Sequence, residues 1–238
     1  MTVSVALAAY NGEKYIAEQI SSVLPQLSED DEIVVSVDPS ADRTREIVSS
    51  MSEADSRIKL IDGEGRGLIK NFENAIKNCR NDIIFPCDQD DIWLPEKAAR
   101  VKTEFENDSA LLLTMHDAKI VDENLSEIES SFFAHRGTKT GILKNIWKNS
   151  YMGCCMAFRK EALKYILPFP ENLPMHDQWI GLVCEKRGKV SLIREPLMLY
   201  RRHGDNASKM QHESVMQMIK WRLSIILSLI KNQAVKYE

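Results

Sequence analysis

Three carboxylates, Asp88, Asp90 and Asp91, stand within four residues in the stretch DIIFPCDQDDIW at positions 82–93. The run leading into them is apolar, and Trp93 follows. Carboxylates drawn together out of water need a counter-charge, so a freely hydrated turn suits this context poorly. Hard oxygen donors suit Mg²⁺ or Mn²⁺. Mg²⁺ is usually held by one or two carboxylates together with phosphates, so an Asp-x-Asp pair fits a cation-bound diphosphate. Taken alone the spacing is a loose signal, and a hydrated turn stands beside the metal reading.

The elements that must position this cluster alternate strand and helix. Val3 to Ala8, DEIVVSVD, RIKLID and DIIFPCD read as strands. Between them NGEKYIAEQISSVLPQL, SADRTREIVSSM (opened by a capping serine or aspartate) and LIKNFENAIKNC read as helices by their apolar spacing. Near-continuous Val/Ile/Leu strands separated by helices predict a parallel sheet covered on both faces. In such sheets ligands sit beyond the carboxyl ends of the strands. Polar residues lie there after three strands: Tyr10-Asn11, Asp38 and the 88–91 cluster.

The second half is less regular. PEKAARVKTEFEN reads as a helix with Pro95 in its first turn, and ALLLTMHDAKIVD as a strand. SSFFAHRGTKTG reads as a loop, MGCCMAF as a strand and RKEALKYILPF as a helix. HDQWIGLVCEKRG is predicted as a helix closed by Gly188, and KVSLIREPLMLYRRH as a strand pair. In ESVMQMIKWRLSIILSLIKNQAVKYE, the residues Val215, Ile219, Leu223, Ile226 and Ile230 form one helical stripe, with Lys220, Arg222, Lys231 and Lys236 adding positive charge. Two readings stand: a helix packed on its own domain or on a dimer partner, or one lying against a membrane.

Composition is that of an ordinary globular chain: 238 residues, 44% hydrophobic, 28% charged, net charge −4. This charge balance argues against a nucleic-acid partner. The five cysteines show no CxxC spacing, which fits a reducing compartment, with Cys154-Cys155 as small packing residues. No basic leader opens the sequence, and no apolar run reaches the ~18 residues of a membrane span. The expected location is cytoplasmic, with peripheral contact at the inner face of the cell membrane as the alternative that the last helix offers.

Four segments together resemble the family 2 glycosyltransferases, inverting enzymes of the GT-A fold. They are VALAAYNGEKYIAEQISSVLPQ, VDPSADRT, DQDDIWLPEKAARV, and the pair MHDQWIGLV and LYRRHGDNAS. The last pair is similar to elements of the rhamnosyltransferase-like branch of bacterial polysaccharide synthesis. The likeness runs from Val3 to about Ser208. It implies an α/β GT-A fold with a Rossmann-like, mostly parallel central sheet flanked by helices, and a C-terminal amphipathic helix. Residues 1–210 would form the transferase domain, with 1–93 the nucleotide-sugar half and 94–210 the acceptor half. Residues 211–238 would be a helical appendage.

The resemblance implies site residues by position. Ala9, Tyr10 and Asp38 match positions lining base and ribose, and Lys70 a basic position near base and phosphates. Asp88 matches the carboxylate facing the ribose, Asp90 the metal ligand, and Asp91 a neighbour that ligates or orients. Asp177 matches the catalytic base, and His203 a late histidine approaching metal or diphosphate. The implied cofactor is Mg²⁺ or Mn²⁺. The implied donor is a UDP- or dTDP-sugar carrying a hexose or a deoxyhexose such as rhamnose, and the acceptor is a glycan or lipid-linked hydroxyl. Three departures from the pattern stand out. Val37 replaces a second acidic residue common before Asp38, Pro39 replaces a common glycine, and His176 replaces an acidic residue often found before the base. The Gln-x-x-Arg-Trp motif of processive synthases is absent, which favours transfer of a single sugar.

The chemistry asks for the same cast. Inversion is one in-line displacement needing a base for the acceptor hydroxyl and positive charge on the departing diphosphate. Structural alternatives stand beside these roles: Asp177 and Asp38 as helix starts, His203 as a turn residue, Lys70 as an exposed charge, and Trp179 as core packing. A non-catalytic interaction protein of the same fold is the competing function. A dinucleotide oxidoreductase is set aside, because AAYNGEKY replaces the glycine fingerprint after the first strand.

Overall fold

A computed structural model describes residues 1–204, 206 and 214–233. Asp205, Ala207 and Ser208 of the late motif, the expected boundary at 210/211, and Lys236 lie outside the described residues. The first half runs β1 (Val3–Ala9), α1 (Ile16–Val23), β2 (Glu32–Val37), α2 (Thr44–Ala54), β3 (Ile58–Asp62), α3 (Leu68–Lys77) and β4 (Ile83–Cys87). The second half runs β5 (Ile92–Trp93), α4 (Lys97–Asn107), β6 (Leu111–Val121), β7 (Glu127–Glu129), α5 (Phe132–Arg136), α6 (Ile142–Trp147), β8 (Met156–Arg159), α7 (Leu163–Ile166), α8 (His176–Arg187), β9 (Lys189–Arg201) and α9 (Val215–Lys231).

β1, β2 and β4 are buried at every position, so both faces of the sheet must be covered. The strand period of two sorts their side chains. Val3, Val5, Leu7 and Ala9 pack with α1, α2 and α4. Ala6 and Ala8 point the other way, to the face carrying Phe72 and Ile76 of α3, Trp179 of α8, and Ile225 and Leu229 of α9.

The sheet order is β3-β2-β1-β4-β8-β6-β9-β5, with β7 paired to β6. Pairing is parallel from β3 through β4 and between β6 and β9, and antiparallel where β8, β5 and β7 join. Thus β1, β2, β3, β4, β6 and β9 share one direction, and the sheet is mostly parallel as expected. The same registers bring the carboxyl ends of β1, β2, β4 and β9 to one rim, where the polar residues flagged in the sequence lie.

Several local expectations are corrected. SSFFAHRGTKTG is not all loop. Ser131 caps α5 by accepting the Ala134 N–H, and Gly137 closes it at φ 66°, a left-handed conformation that favours glycine. KVSLIREPLMLYRRH is one strand rather than a pair: Ile193 pairs with His116 and Pro196 with Asp117, so Arg194 and Glu195 bulge into solvent and the ladder resumes. MGCCMAF begins with a 3₁₀ turn at Gly153–Cys155 and becomes strand only at Met156. RKEALKYILPF is a 3₁₀ turn followed by the four-residue α7. The helix α4 starts at Lys97, beyond Pro95. Asp42 serves the start of α2 by accepting the Thr44 N–H, although the residue before the helix is Arg43.

Candidate functional site

The sheet rim is held by side chains that lock backbone. Gln89 both accepts the Tyr10 N–H (2.9 Å) and donates to the Tyr10 carbonyl (2.9 Å), tying the β4 end to the β1 end. The Ala9 carbonyl accepts the Asp38 N–H (2.9 Å) and the Asn71 side-chain amide (3.0 Å). Asp38 is buried and accepts the Gly65 N–H (3.0 Å). Gly63 passes so close that an added Cβ would stand 2.3 Å from Asp38 Oδ1. Ala9 is buried, whereas the Tyr10 side chain is 57% exposed over the crevice mouth.

The 88–91 loop is closed from the far end of the chain. Arg201, at the end of β9, donates its N–H to Asp91 Oδ1 (3.0 Å) and its Nε–H to the Asp90 carbonyl (2.9 Å). The same guanidinium pairs with Glu18 of α1 and lies 4.6 Å from the Tyr15 ring. His203 Nε2 sits 2.9 Å from Asp90 Oδ2, and the imidazole packs on Tyr15 with 4.7 Å between ring centroids. Asn206 donates to the same Asp90 oxygen (3.2 Å). Asp90 and His203, 113 residues apart, therefore meet directly.

Asp88, Asp91 and Cys154 each offer a donor atom within 4.8 Å of one another. Asp91 Oδ2 is buried and without a hydrogen-bond partner among the described residues. Burial, then the Asp90 charge, pushes the Asp88 carboxyl up to about 7. Burial and the charges of Asp90 and Asp88 push Asp91 well above the usual carboxylate range. The Cys154 thiol is also held well above its ordinary value, by its Cys155 neighbour and by burial, so it stays a neutral S–H beside the carboxylates. An orphaned buried oxygen in a cluster of carboxyl groups with unmet negative charge fits a divalent cation, with oxygen ligands preferred over the protonated sulfur.

Lys97 supplies part of the missing counter-charge. It is fully buried, donates from Nζ to the Cys154 carbonyl (2.9 Å) and lies 4.2 Å over the Trp93 ring. The sequence reading took it as one more residue of a helix. Arg201, Gln89, Asn149, Asn206 and Cys154 were also missed as site residues. Arg201 and Asn206 stood inside the quoted late motif, but nothing local announces contacts made more than 100 positions away.

Asp177 lies in the first turn of α8, 9% exposed. It is not the helix cap, which falls on Met175. Its Oδ1 accepts from Asn149 Nδ2 (3.2 Å) and from the Gln178 N–H (2.5 Å), which fixes the carboxylate plane. Burial pushes the carboxyl up to about 6. The Asp177 charge is among those that raise Asp88, so the two carboxyl groups lie within electrostatic reach of each other. His176 stacks on Phe72 at 3.9 Å, and burial lowers it to about 3, a neutral ring. Trp179 is core, donating from Nε1 to the Ile166 carbonyl. Lys70 is not brought to the cluster; it pairs with Glu73, which also accepts the Phe169 N–H.

A family model described as glycosyl transferase family 2 matches residues 4–167. Among curated proteins, the chain is 28% identical over 222 residues to the dTDP-rhamnosyl transferase RfbG of Shigella flexneri, covering 84% of this chain and 72% of that protein. Among solved structures it resembles S. aureus TarS 1–349 in complex with UDP-GlcNAc, with a TM-score of 0.78 at 20% identity, covering 99% of this chain and 68% of the other. It also resembles the mannosyltransferase PcManGT of Pyrobaculum calidifontis in complex with GDP-Man and Mn²⁺, with a TM-score of 0.66 at 15% identity, covering 98% and 65%. The chain spans about two thirds (66–70%) of the length of several curated relatives.

Proposed function

This chain belongs to glycosyl transferase family 2, and from that premise we propose that it transfers one hexose or deoxyhexose from a nucleoside-diphosphate sugar, with inversion, to a hydroxyl of a glycan or lipid-linked acceptor. The work would be part of cell-surface polysaccharide synthesis. The observation that carries the reading is the gathering of Asp88 and Asp91 at the sheet rim beside the Asp90–His203 pair, with a separate buried carboxylate, Asp177, within electrostatic reach of Asp88. The UDP-GlcNAc complex of one structural neighbour and the likeness to a dTDP-rhamnosyl transferase support a UDP- or dTDP-sugar donor, and the Mn²⁺ complex of another supports a divalent cation, Mn²⁺ or the equally hard Mg²⁺.

In this reading residues 1–93 form the donor side. Ala9, Tyr10 and Asp38 line base and ribose, and Asp88 faces the ribose. Asp90 and His203 would hold the cation, with Asp91 ligating through its unpartnered oxygen or orienting the loop. The cation, when bound, neutralises the charge that develops on the departing diphosphate. Lys70 would approach the phosphates only after leaving Glu73. Residues 94–210 form the acceptor side. Asp177 takes the proton from the acceptor hydroxyl as oxygen attacks the anomeric carbon on the face opposite the diphosphate. Asn149 and the α8 backbone hold its carboxylate in one orientation, and neutral His176 adds no competing charge.

Two variants separate the roles. Asp90→Ala is expected to abolish the Mn²⁺-dependent thermal shift with nucleotide-sugar, together with transfer. Asp177→Asn is expected to keep that shift and lose about 10²–10⁴-fold in turnover, the usual contribution of a general base. Normal turnover in Asp177→Asn would reject the base; unaltered cation-dependent binding in Asp90→Ala would reject the ligand set.

A further inference from the structure

Helix α9 has two apolar faces, and only one of them is used. At 100° per residue, Ile225 and Leu229 lie on the side packed against the domain, and both are buried. The opposite side carries Met216, Ile219, Leu223, Leu227 and Ile230, which are 44–70% exposed. The stripe read from the sequence thus turns outward at Ile219, Leu223, Ile226 and Ile230, and the helix packs through a different pair.

The exposed stripe does not stop at the helix. Leu143 (84% exposed) and Trp147 (72% exposed) of the neighbouring α6 continue the apolar surface, and Arg222 binds α6 by donating to the Trp147 carbonyl (2.9 Å) with its guanidinium 4.2 Å from the Trp147 ring. A contiguous apolar surface of this kind marks a binding face.

The charged residues of the two segments that form it have one sign. Residues 138–152 and 214–233 contain no Asp or Glu. They contribute Lys139, Lys144, Lys148, Lys220, Arg222 and Lys231. Burial and the like charges of Lys139 and Lys148 hold the Lys144 ammonium below its ordinary value. Glu185, the carboxylate that touches this region, accepts the Gly141 N–H. The whole chain is net negative at −4, so this local positive face is not a by-product of composition.

We infer that this face docks on an anionic lipid surface, α9 lying in the interface plane with its outer stripe among the acyl chains and its lysines at the headgroups. A second copy of the chain is the weaker occupant, because a two-fold contact would set the same positive rim against itself. The face also adjoins the acceptor side. Two residues after Trp147 stands Asn149, which donates to Asp177; given the transfer reading above, docking would present the base to a hydroxyl held at the membrane surface.

The test is flotation of the full chain with vesicles. Binding to phosphatidylcholine vesicles containing about a third phosphatidylglycerol should exceed binding to pure phosphatidylcholine by at least about tenfold and fall with added salt. Leu223→Ser with Leu227→Ser, both exposed and outside the core, should lower it by at least about tenfold. Lys220→Glu with Lys231→Glu should lower binding to the anionic vesicles alone. Equal binding by parent and variants, or no flotation on either vesicle, overturns the inference. So does a dimer in sedimentation equilibrium that the serine pair converts to monomer, since a second copy then covers the face. Nucleotide-sugar binding by calorimetry, expected unchanged in the serine pair, keeps a failure of docking distinct from a failure of the transfer reading.

Discussion

At the scale of single residues, the proposed base role ties the pH behaviour of transfer to Asp177. Burial raises its carboxyl to about 6, and only the ionised form accepts a proton. Turnover should therefore be full above pH 7 and fall with unit slope as pH drops through about 6. Asn149 donates to the carboxylate and favours its charged form, so Asn149→Ala should move the acid limb to higher pH with the donor KM unchanged. A pH–rate profile of kcat for parent and variant checks both; an acid limb that stays put in Asn149→Ala would deny Asn149 its positioning role. Asp88, Asp90 and Asp91 were legible as a group because three carboxylates in four residues after an apolar strand are a local signal. The distinction among them was not: Asp90 meets His203 and Asn206, whereas Asp91 keeps an orphaned oxygen next to Asp88 and Cys154. Cys154, His203 and Asn206 come from far along the chain, so spacing around residue 90 carries no trace of them. Lys97 was hidden for another reason. A lysine in a helix is ordinarily a surface charge, and only the fold reveals that its ammonium is buried behind the cluster.

At the scale of elements, the turn after β3 makes a specific demand. Gly63 follows β3 and donates its N–H to the Val37 carbonyl, which brings its Cα against Asp38 and Asn71. Gly63→Ala would set a methyl group 2.3 Å from Asp38 Oδ1 and 2.8 Å from the Asp38 backbone nitrogen. Backbone cannot yield as a flexible side-chain tip does, so urea denaturation should show a loss of about 1–3 kcal/mol. Under the proposed donor-side role of Asp38, nucleoside-diphosphate binding should weaken in the same variant, because Asp38 must shift; unchanged stability would mean that the β2–β3 rim is more compliant than its packing indicates. The first four strands were legible for a related reason. β1, β2 and β4 are buried on both faces and read as near-continuous apolar runs, while the edge strand β3 is partly exposed and keeps apolar residues among polar ones. β9 was not, since Arg194-Glu195-Pro196 has the composition of a turn, yet a bulge expels the two charged residues and leaves the proline where no ladder N–H is required. The periodicity of α9 was legible while its orientation was not. A helix with apolar residues on opposite sides satisfies the same spacing either way round, and among the described residues of α9 Ile225 and Leu229 are the ones buried in the core.

At the scale of the whole molecule, the site is a joint between chain ends rather than a feature of one segment. Asp90 and Asp91 close β4 in the first half, and Arg201 and His203 close β9 near the end of the described sheet; Glu18 of α1 clamps the same arginine. In the absence of a cation this joint carries carboxyl groups whose ionisation burial and mutual repulsion oppose. A diphosphate arriving alone would add negative charge to that cluster, whereas a cation arriving alone would meet ligands already in place but lack the phosphate oxygens that complete its shell. Each ligand therefore raises the affinity of the other, and linkage makes the coupling reciprocal. In thermal unfolding, UDP alone should shift the midpoint by less than about 1 °C, Mn²⁺ alone by about 1–3 °C, and the two together by clearly more than the sum, since a ligand that binds only the folded state stabilises it by mass action. Arg201→Ala removes the side-chain part of the clamp: the Asp90 carbonyl loses its Nε–H donor and the half-exposed Glu18 its guanidinium, while the backbone N–H of residue 201 still binds Asp91. It should lower the midpoint by a few degrees without ligand, a loss of about 1–2 kcal/mol, and erase most of the excess shift with both ligands. Additive shifts in the parent protein, or full coupling in Arg201→Ala, would show that cation and diphosphate bind without the joint that β4 and β9 form.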